Sequence, residues 1–424
     1  MQNLTIKGTC EINGTVQVSG SKNAALPILA ATVLCHQPVC IQKVPHLKDV
    51  TTMLSLLGNM GMTFSIDHKL NVFIEDSTLN LYEAPYDLVK QMRASVLVLG
   101  PMLARYGYAK VSLPGGCAIG TRPVDQHLKL LEQLGADICV EDGYIIAKAK
   151  KLKGATLTFD KETVTGTENI LMAACLAEGQ TIIRNAAKEP EVEDLADFLN
   201  QMGAKIEGAG TNTIKIQGVS KLNGGAYQVI PDRIEAGTLL IVAVMARGSI
   251  TLTECQPSHL EHVLDALKQA GADIEVGDTW IKLSMTARPK AISLVTDVYP
   301  GIPTDLQAQF IAMNAIADGE SKVEETIFEN RFMHVSELLR MGADITLDRN
   351  IAVIKGVKHL VGAKVMATDL RASAALILAG LCAKGSTQID RIYHIDRGYA
   401  NIEEKLCKLG ASIQRSPSSH FHTA

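Results

Sequence analysis

The 424-residue sequence has few aromatic side chains: 4% Phe, Trp and Tyr, with one Trp. Single-stranded nucleic acids are bound largely by stacking on aromatic faces, so that function has little to build on here. An excess of either charge is also missing. Lys and Arg number 41 against 45 Asp and Glu, a net charge of −4, which argues against general nucleic-acid binding. Long apolar runs are absent. The longest, 24–35, 237–246 and 372–383, fall short of the roughly 20 residues that cross a membrane, so no membrane association is expected. The opening MQNLTIKGTC has no basic stretch followed by an apolar core, and no secretory leader is expected. The nine cysteines (Cys10, Cys35, Cys40, Cys117, Cys139, Cys175, Cys255, Cys382 and Cys407) are scattered and form no CxxC. A disulfide framework or structural zinc is therefore not expected, and reduced thiols in a cytoplasmic protein fit best. The histidines lack HExxH or any other ligand spacing, so no metal site is expected.

What is present is a globular composition, 47% hydrophobic and 20% charged, with length for two or three domains. It is organised by repetition. LLGNMGMTFSI, LEQLGADICV, LNQMGAKIEG, LKQAGADIEV, LLRMGADITL and LCKLGASIQR align on Gly61, Gly135, Gly203, Gly271, Gly342 and Gly410. Each reads as an amphipathic helix stopped by glycine and followed by a strand. A second marker alternates with the first: Gly107, Gly179, Gly248, Gly319 and Gly385 each follow an apolar helix and open a strand. Both recur about every 70 residues, above the usual solenoid period, and predict six βαβαββ units.

The second helix type is apolar nearly all round, as in NILMAACLA, AGTLLIVAVMA and ASAALILAGLCA. A helix without a polar face has to be enclosed, so six helices are predicted to be central with sheets outside. Size favours two globules of three units each. The apolar helices follow SGSKN, KQMR, TGTEN, DRIE, PTDLQ and TDLR. Any single polar residue there is explained by capping, but capping favours Ser, Thr, Asp and Asn. Lys22, Arg93 and Arg371 at equivalent helix starts need another reason, and an anion-attracting cleft where the globules meet is expected.

One loop stands apart, LPGGCAIGTRPVDQH at 113–127, in which Gly115, Gly116 and Gly120 frame Cys117 and Arg122 follows. Cys117 reads either as an incidental thiol or as a reactive one. A thiol with a pKa near ~8.5 can deliver a proton, and beside a cation it becomes a nucleophile. Gly115 to Gly120 has phosphate-loop spacing, but Thr121-Arg122 replaces Lys-[Ser/Thr], so that reading is set aside. Asp305 in GIPTDLQAQF reads as a helix cap or a working carboxylate. Arg331 in ENRFMHV and Arg397 in DRIYHIDRGY read as surface cations or anion ligands, and Arg233 lies near the expected crossing between halves.

These segments, with SGSKNAALP at 19–27, APYDLVKQMRAS at 84–95, LPGGCAIGTRPVD at 113–125 and MATDLRAS at 366–373, carry a resemblance over residues 1–415. The chain resembles the enolpyruvyl transferase superfamily, and within it the UDP-N-acetylglucosamine enolpyruvyl transferases. The resemblance implies a two-domain inside-out α/β barrel with three βαβαββ units per domain and the apolar helices central. It places 22–230 in the domain that carries the Cys117 loop and 1–21 plus 231–424 in the other, with 416–424 a polar tail. It implies transfer of the enolpyruvyl group of phosphoenolpyruvate to the 3-hydroxyl of UDP-N-acetylglucosamine. Phosphate is released through a tetrahedral intermediate, in the first committed step of peptidoglycan synthesis. A monomer without cofactor is expected.

By motif match, Cys117 is similar to the family's proton donor, which also forms a phospholactoyl adduct and is the target of fosfomycin. Lys22, Arg93, Arg122 and Arg397 match ligands of phosphoenolpyruvate, with Asn23, Arg331 and Arg371 beside them. Asp305 matches the base for the sugar hydroxyl, and Lys22 and Arg397 are counted with Cys117 and Asp305 as catalytic. Arg122, Pro123, Val124, Asp125, Gln126 and Ile327 match UDP-sugar contacts. Lys161, Thr163, Val164 and Gly166 are also assigned to UDP, although DKETVTGTEN at 160–169 departs from the SVGAT-like sequence of some relatives.

The electrostatics agree. One cation at ~4 Å in an effective dielectric of ~20 attracts a unit anion by about 4 kcal/mol before desolvation, so a multiply charged substrate calls for several cations. The 113–122 loop, with its three glycines, is expected to act as a lid. Two rivals remain: transfer to shikimate 3-phosphate, against which the Cys117 loop and the RPVD segment count, and a catalytically silent UDP-sugar sensor.

Overall fold

The computed structural model describes residues 2–8, 11–113 and 124–417. Cys117, Arg122, Pro123, the glycine-rich part of the 113–122 loop and residues 418–424 lie outside the described residues. The described residues divide into two compact units, one of residues 20–113 with 124–230 (below, the 20–230 unit) and one of residues 2–19 with 231–417.

Each unit holds three four-stranded sheets around three buried helices. In the 20–230 unit the central helices are Lys22–Ala31, Leu99–Tyr106 (led in by the 3-10 turn Arg93–Val98) and Val164–Ala174. In the other they are Arg233–Ala246, Gln307–Ile316 and Ala372–Cys382, which pack on one another within one hydrophobic core. Every residue from Arg233 to Met245 is buried, as uniform apolarity requires. The helices are inside and the sheets outside, the inside-out α/β barrel expected.

One unit shows the plan. Strand Glu83–Ala84 runs parallel to Tyr108–Ser112 across the buried helix, and the amphipathic helix Asp125–Gln133 leads to the hairpin Asp137–Glu141 and Tyr144–Lys148. All six marker glycines, Gly61 to Gly410, have φ between 85° and 113°, which L side chains resist, so the repeat is a backbone requirement.

Three sheets are completed by distant strands. Gly225–Gln228 pairs parallel with Val39–Gln42, Asn13–Gln17 with Ser249–Thr253, and Gln2–Lys7 lies between Ser386–Asp390 and Ser412–Pro417. The last strand corrects the expected start of the tail: Ser416 and Pro417 pair with Asn3 and Gln2 and belong to the sheet. Where the chain passes between units, the Ser21 amide donates to the Ile230 carbonyl (2.7 Å) in one, and the Asp232 amide to the Ser19 carbonyl (2.8 Å) in the other.

Candidate active site

The 20–230 unit carries the first group of predicted residues. Lys22 opens the Lys22–Ala31 helix, whose cap is Ser21, its Oγ accepting from the Ala24 amide (3.3 Å). Capping thus falls to serine, and the lysine serves another purpose. Its buried ammonium lies 2.8 Å from Asp49 Oδ2, a carboxylate in the first turn of the Lys48–Asn59 helix that the sequence did not single out. Both side chains are under a tenth exposed, and a buried cation needs such a partner to stay charged. Asn23 and Arg93 are partly buried at their helix starts.

The 124–126 and 160–166 segments meet through Gln126. Its Oε1 accepts from the amides of Asp160 (2.8 Å) and Lys161 (3.2 Å), and its Nε2 donates to the Lys161 carbonyl (3.3 Å). Val124 is buried, while Asp125 and Lys161 are exposed. Thr163 caps the Val164–Ala174 helix through Gly166 N (3.3 Å), which gives these two predicted UDP contacts a local structural duty as well. A Cβ on Gly166 would lie 2.4 Å from Thr163 Cγ2.

Behind Gln126, His127 is buried and burial pushes its pKa down to about 4, so the ring is neutral. It pairs with Asn169 Nδ2 at 3.2 Å, and Asn169 also donates to the Val96 carbonyl (3.0 Å) and accepts from the Gly100 amide (2.7 Å). His127 and Asn169 therefore tie the predicted UDP segment to two central helices. Neither was signalled by spacing, since each looks like an ordinary core polar residue.

In the second unit the structure gathers Asp305, Arg331 and Arg371. Asp305 lies in the 3-10 turn Thr304–Leu306, just ahead of the Gln307–Ile316 helix. Its Oδ1 accepts from Arg331 Nη2 (2.7 Å) and its Oδ2 from Arg371 Nε (3.2 Å). Both arginines are buried, and the carboxylate side chain is 23% exposed. Arg371 spends Nε on Asp305 and Nη1 on the Gly398 carbonyl (3.0 Å), and Arg331 spends Nη1 on Thr304 Oγ1 (2.7 Å). Both thus donate to Asp305, and among the described residues the buried Arg371 Nη2 has no hydrogen-bond partner.

Supporting contacts fix the cluster. The Arg371 guanidinium stacks over the Tyr399 ring at 5.1 Å, and Gln309 Nε2 donates to the Asp305 carbonyl (3.1 Å). Asp369 Oδ1 accepts from the amides of Arg371 and Ala372, both at 2.9 Å, capping the Ala372–Cys382 helix. Arg397, partly buried, ends the 3-10 turn Ile392–Arg397 one residue before Gly398. Ile327 is exposed in the turn that precedes Arg331.

Burial disfavours the thiolates of three other cysteines. It pushes Cys35 up to about 12 and Cys255 up to about 11, and Cys175 higher still. Among the described residues no group of three or more His, Cys, Asp or Glu could hold a metal, and no helix is long and apolar enough to cross a membrane.

A carboxylate clamped by buried arginines, on a fold of six sheets around enclosed helices, is set within the enolpyruvyl transferase architecture. The match to the EPSP synthase (3-phosphoshikimate 1-carboxyvinyltransferase) family spans residues 6–406, and the chain belongs to that family. Among curated relatives, the UDP-N-acetylglucosamine 1-carboxyvinyltransferase of Hydrogenovibrio crunogenus is 60% identical over 98% of this chain and 100% of its own. That of Coxiella burnetii is 57% identical over 100% of this chain and 98% of its own. Among solved structures, the enolpyruvyl transferase NikO of Streptomyces tendae superposes with a TM-score of 0.88 at 25% identity, covering 98% of this chain and 99% of that one. EPSP synthase of Acinetobacter baumannii shares the fold, with a TM-score of 0.77 at 18% identity over 98% of this chain and 100% of that one.

Proposed function

We propose that the chain transfers the enolpyruvyl group of phosphoenolpyruvate to the 3-hydroxyl of UDP-N-acetylglucosamine and releases phosphate. The observation that carries the choice of acceptor is full-length identity of 57–60% with relatives named for that reaction. The family's own description names a shikimate phosphate acceptor instead, which makes that compound the control.

In the proposed reaction Cys117 gives a proton to the methylene carbon of phosphoenolpyruvate. The sugar oxygen adds to the neighbouring carbon as Asp305 accepts the hydroxyl proton. The tetrahedral adduct then loses phosphate from that carbon and a proton from its methyl group, which restores the double bond. No electrons enter or leave, so the scheme uses no redox cofactor. Lys22, Arg93, Arg122 and Arg397 neutralise the donor's phosphate and carboxylate, with Asn23 and Arg371 Nη2 beside them. Preorganised cations of this kind favour the adduct, whose charge is localised on phosphate and carboxylate. Arg331 holds Asp305 in place.

Pro123 to Gln126, Lys161, Thr163, Val164, Gly166 and Ile327 contact the UDP-sugar. The Gln126 bonds to the 160–161 backbone support treating two of these segments as one binding element. The enzyme acts as a cytoplasmic monomer at the first committed step of peptidoglycan synthesis.

Steady-state phosphate release with each acceptor tests this reading. UDP-N-acetylglucosamine should support turnover and shikimate 3-phosphate should not. Fosfomycin should abolish the activity with one adduct per chain, located on Cys117 by mass spectrometry. Turnover with shikimate 3-phosphate alone, or an adduct on another thiol, would overturn it.

A further inference from the structure

We infer that Glu325 is a positioning residue that locks the turn carrying Ile327 to the turn carrying Asp305, an inference that rests on the transferase reading above. Glu325 follows the strand Glu320–Glu324 and is 2% exposed. Its Oε1 accepts from Thr296 Oγ1 (3.0 Å) and from the amides of Ile327 (2.9 Å) and Phe328 (3.1 Å). Those bonds alone would make it an ordinary buried turn carboxylate. Its Oε2, however, accepts from Thr304 Oγ1 at 2.8 Å, and Thr304 is the residue before Asp305.

The proton directions are fixed by counting. A hydroxyl has one proton, and that of Thr304 goes to Glu325, so Thr304 Oγ1 has to accept from Arg331 Nη1 at 2.7 Å. Arg331 then turns its Nη2 to Asp305 Oδ1, and Arg371 closes the other side of the carboxylate. The sequence of bonds runs from the Ile327 and Phe328 amides through Glu325, Thr304 and Arg331 to Asp305, with each proton used once. Thr296 supports it in the same way: its Oγ1 donates to Glu325 and accepts from the Thr326 amide at 3.0 Å. The direction of the chain is set by charge. Two carboxylates end the Thr304–Arg331 link: Glu325 takes the Thr304 proton, which leaves Thr304 Oγ1 to accept from the arginine that also donates to Asp305.

Consequently, the base and the sugar-side turn are held in one register. Removing the Thr304 hydroxyl cuts the link while leaving the three Oε1 bonds of the turn intact. Changing Glu325 to Gln leaves one oxygen for the three donors at Oε1 and sets an N–H donor against Thr304 Oγ1, which cuts the same link.

The test compares Thr304→Val, Thr304→Ser and Glu325→Gln in the full chain, by phosphate release with both substrates and by calorimetric binding of UDP-N-acetylglucosamine. Thr304→Val is expected to lower kcat by about tenfold or more, with sugar binding within about twofold of wild type. Thr304→Ser keeps the hydroxyl and should restore kcat, whereas Glu325→Gln should lower kcat as Thr304→Val does. Thr304→Val turning over at the wild-type rate, or Thr304→Ser failing as badly as Thr304→Val, would overturn the inference while leaving the transferase reading intact. Absence of turnover by the wild-type chain would overturn that reading and the inference with it.

Discussion

Replacing Asp305 with Asn tests catalysis and packing at one position. Asparagine keeps an oxygen for Arg331 but sets an N–H donor against Arg371 Nε, which now sits 3.2 Å from a carboxylate oxygen. Stripping a fully buried ion of its partner costs about 3–5 kcal/mol. Here Arg371 keeps its bond to the Gly398 carbonyl, and the Asp305 side chain is 23% exposed. The expected loss is therefore smaller, about 2–3 kcal/mol. For a unit of this size each kcal/mol lowers the melting temperature by about 2–4 °C, so the variant should melt roughly 4–12 °C lower. Loss of a general base lowers turnover by about 10²–10⁴-fold. Calorimetry and phosphate release on the same preparation read both effects, and UDP-N-acetylglucosamine should still bind. Turnover within about threefold of wild type would refute the base assignment. An unchanged melting temperature would refute the arginine clamp.

Asp49→Ala should destabilise the 20–230 unit by about 3 kcal/mol or more, read from urea unfolding, because the buried Lys22 ammonium loses a partner at 2.8 Å. His127 is neutral when folded, with a pKa pushed down to about 4 by burial, whereas an unfolded histidine titrates near its ordinary 6.5. The unfolded chain then binds more protons, so this residue's contribution is complete above pH 6.5 and is lost as pH falls toward about 4. The difference in urea midpoint between His127→Gln and the parent should shrink between pH 7 and pH 5, and a constant difference would contradict the assignment. Gly166→Ala should cost about 1–2 kcal/mol in thermal unfolding, because its Cβ meets Thr163 Cγ2 at 2.4 Å and disturbs a helix cap. Adding Thr163→Ser, which removes that methyl, should recover most of the loss.

The repeat was legible in the sequence because its cause is local. Glycine at 61, 135, 203, 271, 342 and 410 answers a positive φ that follows each amphipathic helix, and uniform apolarity marks the helices that have to be enclosed. The functional partners were less legible because their causes are tertiary. Asp49 meets Lys22 only after two helices pack, and nothing near Asp49 in the sequence distinguishes it from a first-turn acid that favours a helix dipole. Asp305 and the cap residues of neighbouring helices have the same local signature, and only the approach of Arg331 and Arg371 from elsewhere in the chain tells them apart. The part Glu325 plays was hidden for the same reason, since the two hydroxyls and two amides that donate to its carboxylate lie in three separate segments.

The most direct measurement follows phosphorus by NMR while the purified wild-type chain is mixed with phosphoenolpyruvate and UDP-N-acetylglucosamine. The phosphoenolpyruvate resonance should decline as inorganic phosphate grows in equal amount, with the UDP-sugar gaining one enolpyruvyl group by mass. Unchanged resonances from active-concentration protein, or phosphate formed without any change in the sugar's mass, would contradict the account.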